Sequence, residues 1–453
     1  MIFILISLVS WLVLLNFQTI GIVGVDSGDM VTAAVVGGVA HAPGYPLYTL
    51  IGNLLVKLPF FSPAWRVGLL SSVPEALTVG MVFLIIRQLT QKTIPSLLGA
   101  FLILGNYILF LYGIVPEVFG LYDLMLSVIV YLTVKWYLKP SLRLLVILSF
   151  AVGLSLTHHH LVLLIFPATG YLIALKRPVL KIKNLAVLSL SFIAGLTPYL
   201  YVVFAARQLP IINWGNVTDL KSFIALINRS QYGTYFSSAL FGTSITERML
   251  NVKAFLQLYF TDISWFGLIL VLVSLGYFYR RNKHLLIYFI LLLLFTGPIF
   301  FFYASFPVVN YFSASIIERF MTQSYVISYI LCGIGIFVVS DFILKRKNNF
   351  NNRIILVMWY LLTGLFLTLT ILTQIFRFNG FHEDLTGNYL GYDILDTTAK
   401  NSILLLSGDT QLFMTQYVRY GLNYRSDVML IPLNALLDSK AHPAIRKNFP
   451  GVN

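Results

Sequence analysis

One cysteine is all this chain contains, Cys332, set inside an apolar run of its 453 residues. That excludes an intrachain disulfide framework and a cysteine-rich metal site. Charge is scarce as well: 11% of residues are charged, and 17 acids stand against 31 lysines and arginines. No repeat of fixed period and no low-complexity tract is found, so solenoid and fibrous architectures are set aside. What fills the chain is apolar side chain, 58% of residues, with a mean hydropathy of +0.84. A soluble core cannot bury so much, whereas a bilayer accepts it, and the chain reads as an integral membrane protein. The formal charge of +14 lies in short clusters between apolar runs rather than in one domain. It therefore speaks for membrane orientation and anionic-lipid contact, and against nucleic acid.

About eleven apolar spans can be drawn: 2–20, 65–89, 94–114, 118–138, 142–157, 161–175, 185–204, 255–279, 285–303, 324–344 and 354–376. The first lacks the basic start and small-residue cleavage site of a signal peptide, and its length suits a permanent span. Alternate connections collect lysine and arginine: Arg87 and Lys92; Lys135, Lys139 and Arg143; Lys176, Arg177, Lys181 and Lys183; Arg280, Arg281 and Lys283; Lys345, Arg346, Lys347 and Arg353. By the positive-inside tendency these connections and the N-terminus are cytoplasmic, and everything from Arg377 onward is outside. A multi-pass protein of a bacterial-type plasma membrane is expected. The transmembrane part is expected at 1–376, with exoplasmic loops 21–64 and 207–253. Residues 377–453 read as a small extracytoplasmic α/β segment: helix near 388–400, strand near 402–406, helix near 410–420, strand near 427–432. It stops at Asn453 without an obvious completed domain, so a minimal or truncated ectodomain is expected.

This topology puts the chemically suggestive residues on one side. Asp26, Asp29, His41, Glu117, His158-His159-His160, Asn213-Trp214 and Glu318-Arg319 all come out exoplasmic. An ionised carboxylate there can take the proton of an attacking hydroxyl, and arginine, histidine or a metal can stabilise a departing phosphate. Each residue also has a structural alternative. Asp26 or Ser27 can cap a helix starting near Gly28, with Asp29 favoured in its first turn. Arg319 can form an ion pair or headgroup contact, and Arg66 anchors the start of its span. Glu117 can be a helix-start acid, Trp214 an interfacial anchor, and Asp409 a cap. Consecutive histidines on a helix point about 100° apart, so the triplet cannot close on one ion from regular geometry; no cofactor is called for, and a divalent metal is left open. The polar aromatic run Arg229 to Phe236 is a candidate for ordering over a ligand.

The stretch Asp26-Ser27-Gly28-Asp29 with His41-Ala42-Pro43-Gly44-Tyr45-Pro46-Leu47-Tyr48 resembles the signature of the membrane family called domain of unknown function 2723. That family includes the transmembrane-protein-260-like protein O-mannosyltransferases, of the GT-C glycosyltransferase superfamily. Further resembling pieces are Ala64-Trp65-Arg66, Pro116-Glu117-Val118-Phe119, Gly153 to His159, Pro198 to Tyr201, Asn213-Trp214-Gly215, Glu318-Arg319-Phe320 and Ser407-Gly408-Asp409. The family usually has Glu at position 29 and Pro at position 42. The resemblance implies a predominantly helical GT-C-like fold and an inverting transferase. The sugar, mannose or another hexose, would come from a polyprenyl-phosphate donor; the acceptor would be protein, glycan or lipid. It implies Asp26 as catalytic base with Asp29 as its partner. Donor phosphate would meet His41, Arg319, His158 and His159, and substrate would meet Tyr45, Glu117, Asn213 and Trp214. A transporter or flippase of a lipid-linked or small polar substrate is the alternative. It would call for paired repeats and for ionisable or broken-helix sites near the bilayer midplane, neither of which is evident in the sequence.

Overall fold

The structure is a computed structural model that describes residues 1–451 apart from 25, 176–181, 231–232, 235–236, 239–243, 305–307, 309 and 346–348. Part of the 229–236 run, and Lys176, Arg177, Lys181, Arg346 and Lys347 of the basic loops, lie outside the described residues.

In chain order the helices begin with α1 (Ile2–Leu15), α2 (Ser27–Val36), α3 (Pro46–Leu55) and α4 (Pro63–Thr90). They continue with α5 (Thr93–Phe101), α6 (Tyr107–Ile114), α7 (Phe119–Leu138), α8 (Leu142–Leu156), α9 (Phe166–Ala174), α10 (Ile182–Gly195) and α11 (Tyr199–Arg207). After the short α12 (Leu220–Ile227) come α13 (Ile245–Arg281), α14 (Lys283–Leu294), α15 (Phe300–Tyr303), α16 (Tyr311–Glu318), α17 (Thr322–Leu344) and α18 (Asn349–Arg377). Among the described residues seven helical stretches are long and apolar enough to cross a membrane, eight if the bent pair α5/α6 is one span. The expected spans at 2–20, 142–157 and 161–175 correspond to shorter apolar helices, α1, α8 and the run His160–Ala174.

Burial sorts these helices into layers. The most apolar windows of α4, α7 and the α16–α17 stretch are 78, 61 and 67% buried, against 11% for α10–α11 and 11% for the stretch containing α18. The first three form the interior of the bundle, and the others present leucine and isoleucine outward, as a lipid-facing helix must.

Several spans are broken where the sequence supplies a reason. The α5/α6 pair bends by 70° at Gly105-Asn106, where the Asn106 side chain caps the new helix. Thr197-Pro198 interrupts α10 and α11, and a π-bulge at Gly297-Pro298 joins α14 to α15, as expected where proline removes a backbone donor. Two acids are also buried in the bundle, Glu75 halfway along α4 at 1% exposure and Asp123 one turn into α7 at 0%. The sequence reading found no evident ionisable or broken-helix sites near the bilayer midplane. The buried acids and the helix breaks escaped it, because isolated acids and single Gly-Pro or Thr-Pro steps do not lower the hydropathy of a long window.

Beyond α18 come α19 (Thr386–Asp396), strand Ile403–Leu406, α20 (Asp409–Gln416) and strand Met429–Pro432, close to the expected elements. The strands pair in parallel, Ile403 opposite Met429. This segment is not an appendage: α20 and the π-turn after it pack on α2, and Ile22 N–H donates to Asn388 Oδ1 at 3.0 Å.

Candidate active site

The site is built around the start of α2. Asp26 stands at the N-cap position, yet its side chain makes no capping bond, so the capping alternative fails for it. Arg319 Nη1 donates to Asp26 Oδ2 instead, at 2.8 Å. Ser27 Oγ bonds the Val23 backbone and shapes the turn. Gly28 is required by contact rather than by dihedral: a Cβ there would lie 2.5 Å from the Phe413 carbonyl oxygen.

One helical turn along, Asp29 is fully buried and fully bonded. Its Oδ2 accepts from His41 N–H at 2.9 Å and meets His41 Nδ1 at 2.8 Å, while Oδ1 accepts from Trp214 Nε1 at 2.9 Å. The turn His41 to Tyr45 presents that imidazole: Gly44 N–H donates to His41 C=O, and Tyr45, in left-handed backbone at φ 38°, starts α3 through Pro46. With Nδ1 on Asp29, His41 Nε2 faces Asp26 at 3.8 Å. Trp214 reaches the site because its segment zips onto the strand-like step at Val39. Val39 N–H donates to Ile212 C=O and Trp214 N–H to Val39 C=O, and Gly38 leaves room for the Ile212 carbonyl that any Cβ would strike.

Glu117 completes a second carboxylate flank. Its Oε1 lies 3.9 Å from Arg319 Nη1, its Oε2 accepts from Val118 N–H, and Ser71 Oγ bonds its backbone. Arg319 is therefore shared between Asp26 and Glu117, and its guanidinium lies over the Phe119 and Phe320 rings. Burial alone would raise the Asp26 carboxyl, but the Arg319 and His41 charges outweigh it and hold the group below its ordinary value. Glu117 goes the other way, pushed up to about 7 by burial and by the Asp26 charge. Burial would lower the His41 imidazole, yet Asp26 and the Asp29 hydrogen bond raise it. The result is an ion pair, Asp26 with Arg319, flanked by a carboxyl raised to about 7 and by one histidine poised to be protonated.

Not every expected residue joins this cluster. His158 turns to the Val118 carbonyl at 2.8 Å and is held neutral by burial, lowered to about 4. Its neighbour His159 packs between Tyr45, Phe119 and Tyr122, and burial also lowers it. His160 bonds Tyr199. The three imidazoles thus diverge, and among the described residues no group of three His, Cys, Asp or Glu is placed to hold a metal ion. Asn213 lies beside the site through its backbone, with its amide nitrogen toward Ala206. Arg66 is structural, donating to the Val56 and Leu58 carbonyls. Tyr45 does reach the cluster, its ring edge on to His41.

One contributor escaped the sequence reading, and two were read there for other roles. Phe413 of α20 stacks on His41, with ring centroids 6.1 Å apart. Asp409, read as a cap, opens α20 near enough to Asp26 that its carboxyl is raised, first by burial and then by that charge. Arg229 lends positive charge to Asp26 and His41. The Ser-Gly-Asp turn and the polar aromatic run starting at Arg229 gave signals for the last two; Phe413 gave none.

Comparison with known proteins bears on the chain and its fold. Residues 26–182 match the family described as the protein O-mannosyl-transferase TMEM260 N-terminal domain. Protein O-mannosyl-transferase TMEM260 of Mus musculus is 28% identical over 449 residues, covering 95% of this chain and 62% of the relative. The protein of that name from Dictyostelium discoideum is 25% identical, covering 91% of this chain and 55% of its own length. The chain therefore spans little more than half the length of these relatives. Among solved structures, ArnT from Cupriavidus metallidurans bound to undecaprenyl phosphate superposes with a TM-score of 0.59 at 11% identity, over 98% of this chain and 87% of that one. Its apo form gives 0.58 at 12% identity. The fold is thus ArnT-like, and from Asp26 to residue 182 the chain is similar to the N-terminal domain of the TMEM260 proteins.

Proposed function

We propose that this chain is an inverting membrane glycosyltransferase that moves mannose, or another hexose, from a polyprenyl-phosphate carrier to a protein hydroxyl on the exoplasmic face. The observation that carries the proposal is the Asp26–Arg319 pair, a carboxylate and a guanidinium 2.8 Å apart. Asp26 is the more accessible partner, its side chain 18% exposed. Asp26 takes the proton of the acceptor hydroxyl as that oxygen bonds to the anomeric carbon. The bond from that carbon to the phosphate oxygen breaks, and the lipid phosphate leaves with the electron pair beside Arg319. One displacement inverts the anomeric centre. Arg319 neutralises Asp26, and the phosphate of an arriving donor competes for the guanidinium and frees the base. Asp29 is a positioning residue in this scheme, since it touches His41 and Trp214 rather than the reacting groups.

The mannosyl group and the protein acceptor are taken from what the TMEM260 relatives are called, and the polyprenyl carrier from what the ArnT structure holds. The same reading takes α1, α8 and the run 160–174 as short spans, giving eleven in all. It puts the N-terminus inside, in a bacterial-type plasma membrane, and divides the chain into a membrane part, 1–376, and an exoplasmic segment, 377–453. A transporter is favoured less: Glu75 and Asp123 are sealed in the bundle, and neither lines a described cleft.

The test is transfer from radiolabelled polyprenyl-phosphate mannose by the purified protein. Asp26→Asn is expected to lose about 10²–10⁴-fold in turnover while inserting normally, and wild-type rates in that variant would reject the base assignment.

A further inference from the structure

The connection bearing Asn213 and Trp214 and the C-terminal α/β segment enclose a cleft of about 150 Å³. Its walls are apolar at Ile211, Ile431 and Phe449, and it carries amide side chains at Asn213, Asn216 and Gln416, with one carboxylate, Asp438. Asn216 Nδ2 donates to Asp438 at 3.1 Å, so that charge is already engaged. Two buried carbonyl oxygens are not: Gln416 Oε1, on a side chain of a residue 2% exposed, and Asn213 Oδ1 have no hydrogen-bond partner. A buried acceptor left open in this way is unfavourable and calls for an incoming N–H or O–H group. The cleft and the carboxylate site share one wall. Trp214 lines the cleft while its indole N–H holds Asp29, and Phe413, which stacks on His41, lies one turn before Gln416 on α20.

We propose that this cleft is the acceptor-polypeptide subsite, holding the backbone that flanks the hydroxyl-bearing residue while the hydroxyl itself reaches Asp26. The inference rests on the transferase reading given above and adds where and how the acceptor binds. An extended chain supplies an N–H group at each residue, about 3.3 Å apart, to satisfy the Gln416 and Asn213 carbonyls, and its side chains fit between the apolar walls. A free glycan would satisfy the same carbonyls with hydroxyls but would leave Ile211, Ile431 and Phe449 facing polar groups. The cleft admits a strand of peptide and not a folded domain, so acceptor serine or threonine is expected in extended or loop segments.

The experiment uses the full chain in nanodiscs, without donor, and a fluorescein-labelled peptide pool with one central threonine among random uncharged residues, read by fluorescence anisotropy. Ala444→Trp, which fills the cleft, is expected to weaken binding by at least about tenfold. Gln416→Leu, which keeps the shape and removes the open carbonyl, is expected to weaken it by about fivefold. Equal affinity in all three proteins, no binding by the wild type, or binding of a fluorescent mannose oligosaccharide in place of peptide would each overturn the assignment. Release of polyprenyl phosphate from the donor is measured separately. Peptide binding in the cleft without any donor turnover would sink the transferase reading and leave a peptide site, and turnover with cleft-independent peptide affinity would do the reverse.

Discussion

Asp26 and Asp29 stand nearly one helical turn apart, yet their partners give them different tasks. All the acceptor capacity of Asp29 that faces the site is spent on His41 and Trp214, so it fixes the imidazole with Nε2 toward Asp26. Asp29→Asn presents an amide in place of one of those acceptor oxygens and disturbs the tautomer. Turnover is expected to fall on the order of a hundredfold with little change in donor KM, measured by steady-state kinetics. Glu117 gives a pH dependence. Its carboxyl is pushed up to about 7, so it is neutral below that pH and ionised above it. Once ionised it competes with donor phosphate for Arg319. Donor KM is therefore expected to rise as pH increases through 7, and Glu117→Gln to flatten that profile; an unchanged profile would remove Glu117 from the donor site. The acids, His41, Trp214 and Arg319 were legible in the sequence because polar residues stand out at the edges of apolar runs. The divergence of the histidine triplet followed from helical geometry, but its partners Val118 and Tyr199 did not, because no local pattern ties them to those positions.

The short helix α2 holds together only because the chain near Phe413 can lie directly on Gly28. Gly28→Ala puts a methyl group against that carbonyl, and one of the two backbones must move. A cost of about 1–3 kcal/mol is expected, read as a lowered Tm in detergent together with reduced turnover. A Tm equal to wild type would mean that the contact yields freely. At this level the sequence served unevenly. Apolar runs located the long helices to within a few residues, and the strand and helix order after Arg377 was readable from alternation and turn residues. The breaks at Asn106, Pro198 and Pro298 were within reach of turn chemistry but were masked by the surrounding hydropathy. The packing of α20 on α2 had no local signature, since it joins opposite ends of the chain.

The molecule as a whole is a bundle whose interior helices, α4, α7 and α17, carry the site at one end, beneath a roof made by the loop around Trp214 and the C-terminal segment. If that end is exoplasmic, a cysteine replacing Lys440 is expected to react with a membrane-impermeant maleimide in intact cells. Background is low, since Cys332 is buried. Labelling that appears only after the cells are opened would invert the topology. Because Phe413 leans on His41, the wall of the site and the acids beside it leave the ribosome far apart in time. A nascent molecule that has already inserted Asp26, His41 and Arg319 still lacks a closed reaction space. It is expected to remain silent until the segment bearing Phe413 is delivered and docks, which protects the pool of activated carrier from half-made enzyme.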